Sequence, residues 1–225
     1  TSSPEHPGVD RFTKKGDYIL AGSIKMISPL LHDNSHYDMT PSQCRFVFTR
    51  KGWHHVVAFH TRNVVHRAHE YIQLKALEET NADGLFINPV LGGKKHGDFL
   101  SVPIMKSYQL LLDSGIYPKG QVVLGSFSTY SRYCGPREAV FTALCRKNMG
   151  CDYIIIGRDH TGVGDYYEPD GNQRLFESLG ECGIKPVYFD SIGFDQKTQK
   201  YISMNSSIQL GSISATNFRE AILRK

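Results

Sequence analysis

A doubly wound parallel α/β sheet is the fold class that this 225-residue sequence predicts, on three observations. Short apolar runs rich in Val and Ile recur along the chain, each of strand length. Stretches with apolar residues at helical spacing separate them. No internal repeat or low-complexity tract interrupts the alternation, so the pattern reads as successive strand–helix units of one sheet.

The elements follow in order. The opening "TSSPEHPGVDRFTKKGDYILAGSIKMI" is rich in Pro and Gly and then alternates like a short strand, so residues 1–25 are taken as a linker entering a domain at 26–225. "TPSQCRFVFTRKGW" is expected to be a helix, with Thr40 as N-cap and Pro41 at the first helical position. "HHVVAFH" is a buried strand and "VVHRAHEYIQLKALEET" a periodic helix. "ADGLFINPV" and "QVVLGSF" are strands on either side of the helix "VPIMKSYQLLLDSGI". "GPREAVFTALCRKNM" is a helix, "CDYIIIG" a strand, "NQRLFESLGECG" a helix and "KPVYFD" a strand. "SATNFREAILR" is expected to close the chain as a helix.

Composition narrows the class of protein. A net charge of +4 from 26 basic and 22 acidic residues favours anionic ligands weakly and does not by itself indicate nucleic acid. The five cysteines, Cys44, Cys134, Cys145, Cys151 and Cys182, form no CxxC pair and read as reduced thiols of a cytoplasmic compartment. No apolar run reaches the length of a membrane span, and the N-terminus lacks a basic-then-apolar signal, so a soluble intracellular protein is expected.

Four segments carry possible chemistry. In "VVAFHTRNVVHRAHEY", His66 and His69 are three apart at a strand-to-helix junction, where the helix dipole and free amides favour an anion. Arg62 and Asn63 add donors at the same point, a composition suited to phosphate. A metal site would need a third ligand at suitable spacing, and HxxH is not the HExxH arrangement; a solvated helix start is the plainer alternative. In "IIIGRDHTGVGDYY", Gly157 allows close backbone approach after a strand, Arg158 and His160 add donors, and Asp159 can orient one of them. A glycine turn with a structural Arg–Asp pair is equally consistent with that segment alone. In "TYSRYCGPREAVF", Arg132 and Arg137 flank a helix start and are candidate donors, with a buried ion pair to Glu138 or Asp159 as the plainer alternative. In "NPVLGGKKHGDF", Gly92, Gly93, Lys94, Lys95 and His96 form a loop that reads as a phosphate clamp or as a solvated lysine loop. No P-loop or GxGxxG fingerprint occurs.

Together these segments resemble the ATP sulfurylase (sulfate adenylyltransferase) family. "HTRNVVHRAHE" is similar to that family's "QTRNPxHRAHE", and "GRDHTG" to its "GRDHAG". "RYCGPREAVFTALCRKNMGCDYIIIGRDH", "GLFINPVLGGKKHGDF" and "ISATNFREAIL" match further motifs at intact spacing, from about Pro4 onward. The resemblance implies a Rossmann-like nucleotidyltransferase fold of the HxxH type, and attack of sulfate on the α-phosphorus of MgATP to give adenosine 5′-phosphosulfate and pyrophosphate. It places Thr61, Arg62, Asn63, His66 and His69 at catalytic positions. His60, Thr61, Asn63, His66, His69, Gly157, Arg158, Asp159 and His160 fall on nucleotide-binding positions, and His60, Arg62 and Thr161 on the sulfate pocket. Mg2+ is implied with ATP, no zinc is expected, and a homo-oligomer is implied, with neither nucleic acid nor membrane as partner.

The sequence departs from the pattern in places. The family's first-motif glutamine is His60, its GRDHAG alanine is Thr161, and the proline of "RNPxH" is Val64. The family's Met and Ala before "GPREA" are Ser131 and Cys134. Residues 1–25 resemble only the last piece of the family's N-terminal β-rich domain, so the chain is expected to be a catalytic domain cut from or lacking the rest. His60 and Thr161 leave two alternatives beside sulfate adenylylation: a different oxyanion acceptor, such as a phosphate or phosphonate, or a nucleotide-binding module without catalysis.

Overall fold

The computed structural model describes residues 1–28, 31–157, 160–195, 197–198, 200–203, 211–212 and 221. Five parallel strands form the central sheet: β1 (Val56–Phe59), β2 (Gly84–Ile87), β3 (Val122–Leu124), β4 (Tyr153–Gly157) and β5 (Lys185–Phe189), in the order β3-β2-β1-β4-β5. Helices α3 (Arg67–Thr80), α4 (Ser101–Asp113), α5 (Pro136–Met149) and α6 (Gly171–Leu179) make the crossovers, and α2 (Pro41–Arg50) precedes β1. The strand order reverses between β1 and β4, which pair through Val57 with Tyr153 and Ala58 with Ile154. In an open sheet of this kind the loops leaving the carboxyl ends of two such strands part to opposite faces and open a crevice.

Side-chain alternation divides the core. Val57, Phe59, Leu85, Ile87 and Ile155 point to one face, with Ile72 and Ala76 of α3 and Ile104 and Tyr108 of α4. Val56, Ala58, Phe86, Ile154 and Ile156 point to the other, with Cys44 and Phe48 of α2, Ala139 and Ala143 of α5 and Phe176 of α6. Covering both faces requires strands that are apolar throughout, which is why they read as continuous runs. The helix ends follow local chemistry. Thr40 and Gln43 form a reciprocal capping box on α2, which has Pro41 in its first turn. Asn81 ends α3 and Gly150 ends α5, both with left-handed backbone.

The N-terminal segment differs from expectation. Residues 17–27 form no strand: their backbone has no sheet partner, and Tyr18, Ile19, Leu20, Ile24, Met26 and Ile27 stand in solvent. Before them, inside the stretch expected to be a linker, lies α1 (Pro7–Thr13). Local pattern did not announce it because tertiary docking holds it. The His6 ring accepts from the amides of Gly8 and Val9, reaches the Tyr133 carbonyl at 2.9 Å, and packs edge-on against Tyr166. A small antiparallel sheet, β6 (Ile192–Asp195) between β7 (Lys200–Ser203) and β8 (Gly211–Ser212), follows β5 and had no counterpart in the sequence reading. The closing helix expected at "SATNFREAILR" lies outside the described residues, except for Ala221, which is helical.

Candidate active site

The motif residues gather at the crevice between β1 and β4. β1 runs directly into His60 and Thr61, both buried, and Asn88 at the end of neighbouring β2 donates its amide to the Phe59 carbonyl. The Thr61 hydroxyl accepts from the Asn63 amide at 3.1 Å, which curls the loop over the strand end. The Arg62 guanidinium donates to the Gly162 carbonyl at 2.8 Å and lies 3.8 Å from the Asp98 carboxylate, with Tyr133 beneath it at 5.1 Å. It thereby ties the β1 loop to the loops leaving β2, β3 and β4.

His66 is the N-cap of α3, with extended backbone and no side-chain bond to the helix amides; α3 therefore starts at Arg67, three residues after Val64. Its ring stacks on that of His69 in the first turn, with centroids 3.7 Å apart. Uncapped first-turn amides, two imidazoles and the positive end of the dipole meet at one point, which suits an anion. His160 follows β4, with its ring centroid 5.4 Å from that of His60.

Electrostatically the crevice holds neutral imidazoles among cations. Burial, and then Arg146 and Arg62, push His160 down to about 3. Burial, and then Arg146, His160 and Arg62, hold His60 well below the ordinary histidine value. Burial alone takes His66 to about 4, and burial and then His66 lower His69. Each ring at neutral pH offers one N–H donor and one lone pair. Arg62 Nε, His66 Nδ1, both side-chain polar atoms of Asn88, Arg146 Nε and His160 Nε2 are buried without a hydrogen-bond partner. Unspent polar atoms clustered in this way mark where a ligand or water completes the set.

Other expectations resolve differently. Glu138 makes no ion pair with Arg132 or Arg137 among the described residues; its carboxylate accepts the backbone amides of Arg132 and Cys134 and so shapes the loop before α5. Arg132 and Arg137 line a separate cavity of about 900 Å3 with His6, Arg11, Lys15 and Tyr130, and His60, Arg62, His66, His69 and His160 are not among its lining residues. Thr161 has a left-handed backbone, and its hydroxyl donates toward the carbonyls of Gly135 (2.8 Å) and His160 (2.6 Å). Its proton is thus directed at the protein's own carbonyls. Arg158 and Asp159 lie outside the described residues, while Gly157 ends β4 and leaves open space where a Cβ would sit.

Lys94, read as part of a phosphate clamp or of a solvated loop, is half-buried, donates to the Phe99 carbonyl, and is lowered to about 8 by burial and by Arg62. The sequence reading missed three contributors. Asp98 and Tyr133 bond to each other at 2.8 Å under Arg62. Arg146 is fully buried. A signal for it existed: Ala139, Thr142, Ala143 and Arg146 fall at core-facing helical spacing, so the arginine occupies an apolar position of α5.

Among the described residues, no group of three or more His, Cys, Asp or Glu side chains is placed to hold a metal ion, and all five cysteines are free. Among the described residues, no helix is long and apolar enough to cross a membrane.

The ATP-sulfurylase family model matches residues 35–225. A sulfate adenylyltransferase of Symbiobacterium thermophilum is 45% identical over 192 residues, covering 84% of this chain and 48% of that protein. One from Pyrococcus abyssi is 40% identical over 228 residues, covering all of this chain and 59% of its own length. The chain thus spans about half the length of the curated relatives it matches. A hexameric APS kinase from Thiobacillus denitrificans superposes on 85% of this chain and 36% of its own with a TM-score of 0.66 at 20% identity, which shows a shared fold. With the family model spanning all but the first 34 residues, this chain belongs to the ATP-sulfurylase family.

Proposed function

We propose that the chain binds MgATP and sulfate in the β1/β4 crevice and transfers the adenylyl group to sulfate. A sulfate oxygen forms a bond to the α-phosphorus, the bond from that phosphorus to the α,β-bridging oxygen breaks, and its electron pair leaves with pyrophosphate. The single observation that supports this best is the company kept by Arg62. Neutral imidazoles, a buried second arginine and uncapped helix amides share one crevice, and the carboxylate beside Arg62 among the described residues, Asp98, is bound to Tyr133. Sulfate carries no proton at neutral pH, so the reaction needs no general base. It needs alignment and stabilisation of charge on the leaving group.

In this reading Arg62 and His60 hold the acceptor, and Thr161 shapes its pocket through the backbone. His66 and His69 donate to the triphosphate, and Thr61, Asn63, Gly157, Arg158, Asp159 and His160 hold the nucleotide. The divalent cation, magnesium, arrives on the triphosphate as part of the substrate. Free cysteines accord with a reduced cytoplasmic setting, and assembly into a homo-oligomer is part of the same proposal.

The test is ATP–pyrophosphate exchange with a panel of oxyanions, with the product identified by mass. Exchange supported by sulfate and adenosine 5′-phosphosulfate as product are expected. Exchange with phosphate or a phosphonate but not sulfate would assign a different acceptor, and ATP binding without exchange for any acceptor would leave a nucleotide-binding module.

A further inference from the structure

Arg146 is fully buried on the sheet-facing side of α5. From Nη2 it donates to His60 Nδ1 at 2.9 Å and to the Asn88 carbonyl at 2.8 Å, and from Nη1 toward the Thr142 carbonyl at 3.4 Å. The Phe127 ring lies 4.0 Å away, and Nε has no partner. No carboxylate among the described residues pairs with it. Burial lowers its pKa to about 10, which leaves the guanidinium charged at neutral pH. A buried charge without a counter-charge is costly, and two carbonyls and one imidazole offset only part of that cost.

A guanidinium can only donate. His60 Nδ1 is therefore the lone-pair nitrogen, and the ring proton stands on Nε2. That N–H has no hydrogen-bond partner among the described residues, and it is absent from the polar atoms sealed away from solvent. The ring faces Arg146 from α5, His160 from the loop after β4, Arg62 from its own loop, and the edge of Phe127 from the loop after β3. None of these groups favours a second proton on the imidazole.

We propose that Arg146 is a positioning residue for the acceptor oxyanion: it locks His60 as the neutral Nε2–H tautomer, ready to donate to an oxyanion oxygen, and places behind it a buried positive charge for which the bound anion is the counter-ion. The proposal rests on the adenylyl-transfer reading for what binds there. It also accounts for His60 standing where the resembling motif has glutamine. A carboxamide could accept from Arg146 through its oxygen and donate through its nitrogen, as the two nitrogens of the locked ring do.

The test uses the full-length protein with 15N-labelled histidine. Long-range 1H–15N correlation is expected to show His60 with a protonated Nε2 and a bare Nδ1, unchanged between about pH 5.5 and 7.5. In Arg146→Met, His60 should populate both tautomers. The KM for sulfate should rise about tenfold, while the KM for ATP changes less than about threefold. His60→Gln added to Arg146→Met should restore much of the sulfate affinity, because an amide needs no tautomer fixed; a purely structural arginine predicts no such rescue. Arg146→Lys keeps the charge at the site and decides the matter if the methionine variant does not fold, since it should retain more sulfate affinity than Arg146→Gln. A proton on His60 Nδ1 in the unaltered protein, or an unchanged sulfate KM in a folded Arg146→Met, overturns the proposal. If the unaltered protein forms no adenosine 5′-phosphosulfate, the functional reading fails separately, and the tautomer still decides the Arg146–His60 link.

Discussion

His66 and His69 lie ring on ring at the start of α3, their centroids 3.7 Å apart and their planes inclined by 24°. The Tyr108 hydroxyl is 3.4 Å from His69 Nδ1. A proton added to either ring would face the other, so the pair is stable as two neutral donors.

That arrangement predicts acid sensitivity. Burial holds His66 at about 4, and His60, His69 and His160 also lie below the ordinary value of 6.5. Below pH 6.5 the unfolded chain takes up protons that the folded chain refuses, so stability is complete above that pH. It falls as the pH drops toward 4, by up to about 1.4 kcal/mol per histidine per pH unit. Urea unfolding at a series of pH values should show the loss, and His66→Asn should reduce its slope. A flat profile from pH 7 to 5 would contradict the buried neutral assignment.

Arg62→Ala removes the guanidinium that spans the crevice loops. Sulfate-dependent turnover should fall by at least about 100-fold, the scale on which one preorganised charged donor acts. Circular dichroism should stay unchanged, because Arg62 packs at the rim of the core. Near-normal turnover in this variant would remove Arg62 from the site.

Thr161→Val keeps the branched shape and deletes the hydroxyl that meets the Gly135 carbonyl. Destabilisation of about 1–2 kcal/mol is expected in denaturant unfolding. Thr161→Ala should leave the sulfate KM within about threefold, since the hydroxyl proton points at carbonyls; a larger rise would return the side chain to the acceptor pocket.

Gly84 opens β2 where a Cβ would fall inside the Trp53 indole, which in turn stacks on Phe48. Gly84→Ala forces the indole aside and should cost about 1–3 kcal/mol without changing the KM for either substrate. Unchanged stability would mean that the indole moves freely.

The sheet was readable because its strands are buried on both faces and its helices on one, which leaves distinct periods in the sequence. The motif loops were readable because Arg62, His66 and His69 are polar groups set directly after apolar strands. Arg146 escaped because no residue near it in sequence reveals its partner: His60 lies 86 positions away. Helix α1 escaped for a related reason, as its cap is a histidine whose role depends on Tyr133 and Tyr166. The alternation at residues 17–27 misled, because a strand-like pattern becomes a strand only where another backbone offers its hydrogen bonds.

That same segment sets how the chain responds to proteases. Residues 17–27 form neither helix nor strand, and Tyr18, Leu20 and Ile27 are each more than nine-tenths exposed, so they present cleavable side chains on accessible backbone. A nick there leaves the sheet whole but turns α1 into a separate peptide. The His6 contacts, the Arg11 bond to the Ser131 carbonyl, the close approach of Gly8 to Arg132 and the stacking of Arg11 and Lys15 on Tyr130 would then have to retain it. The nicked protein would then be a two-chain complex, and dilution alone would decide whether the wall of the 900 Å3 cavity stays in place.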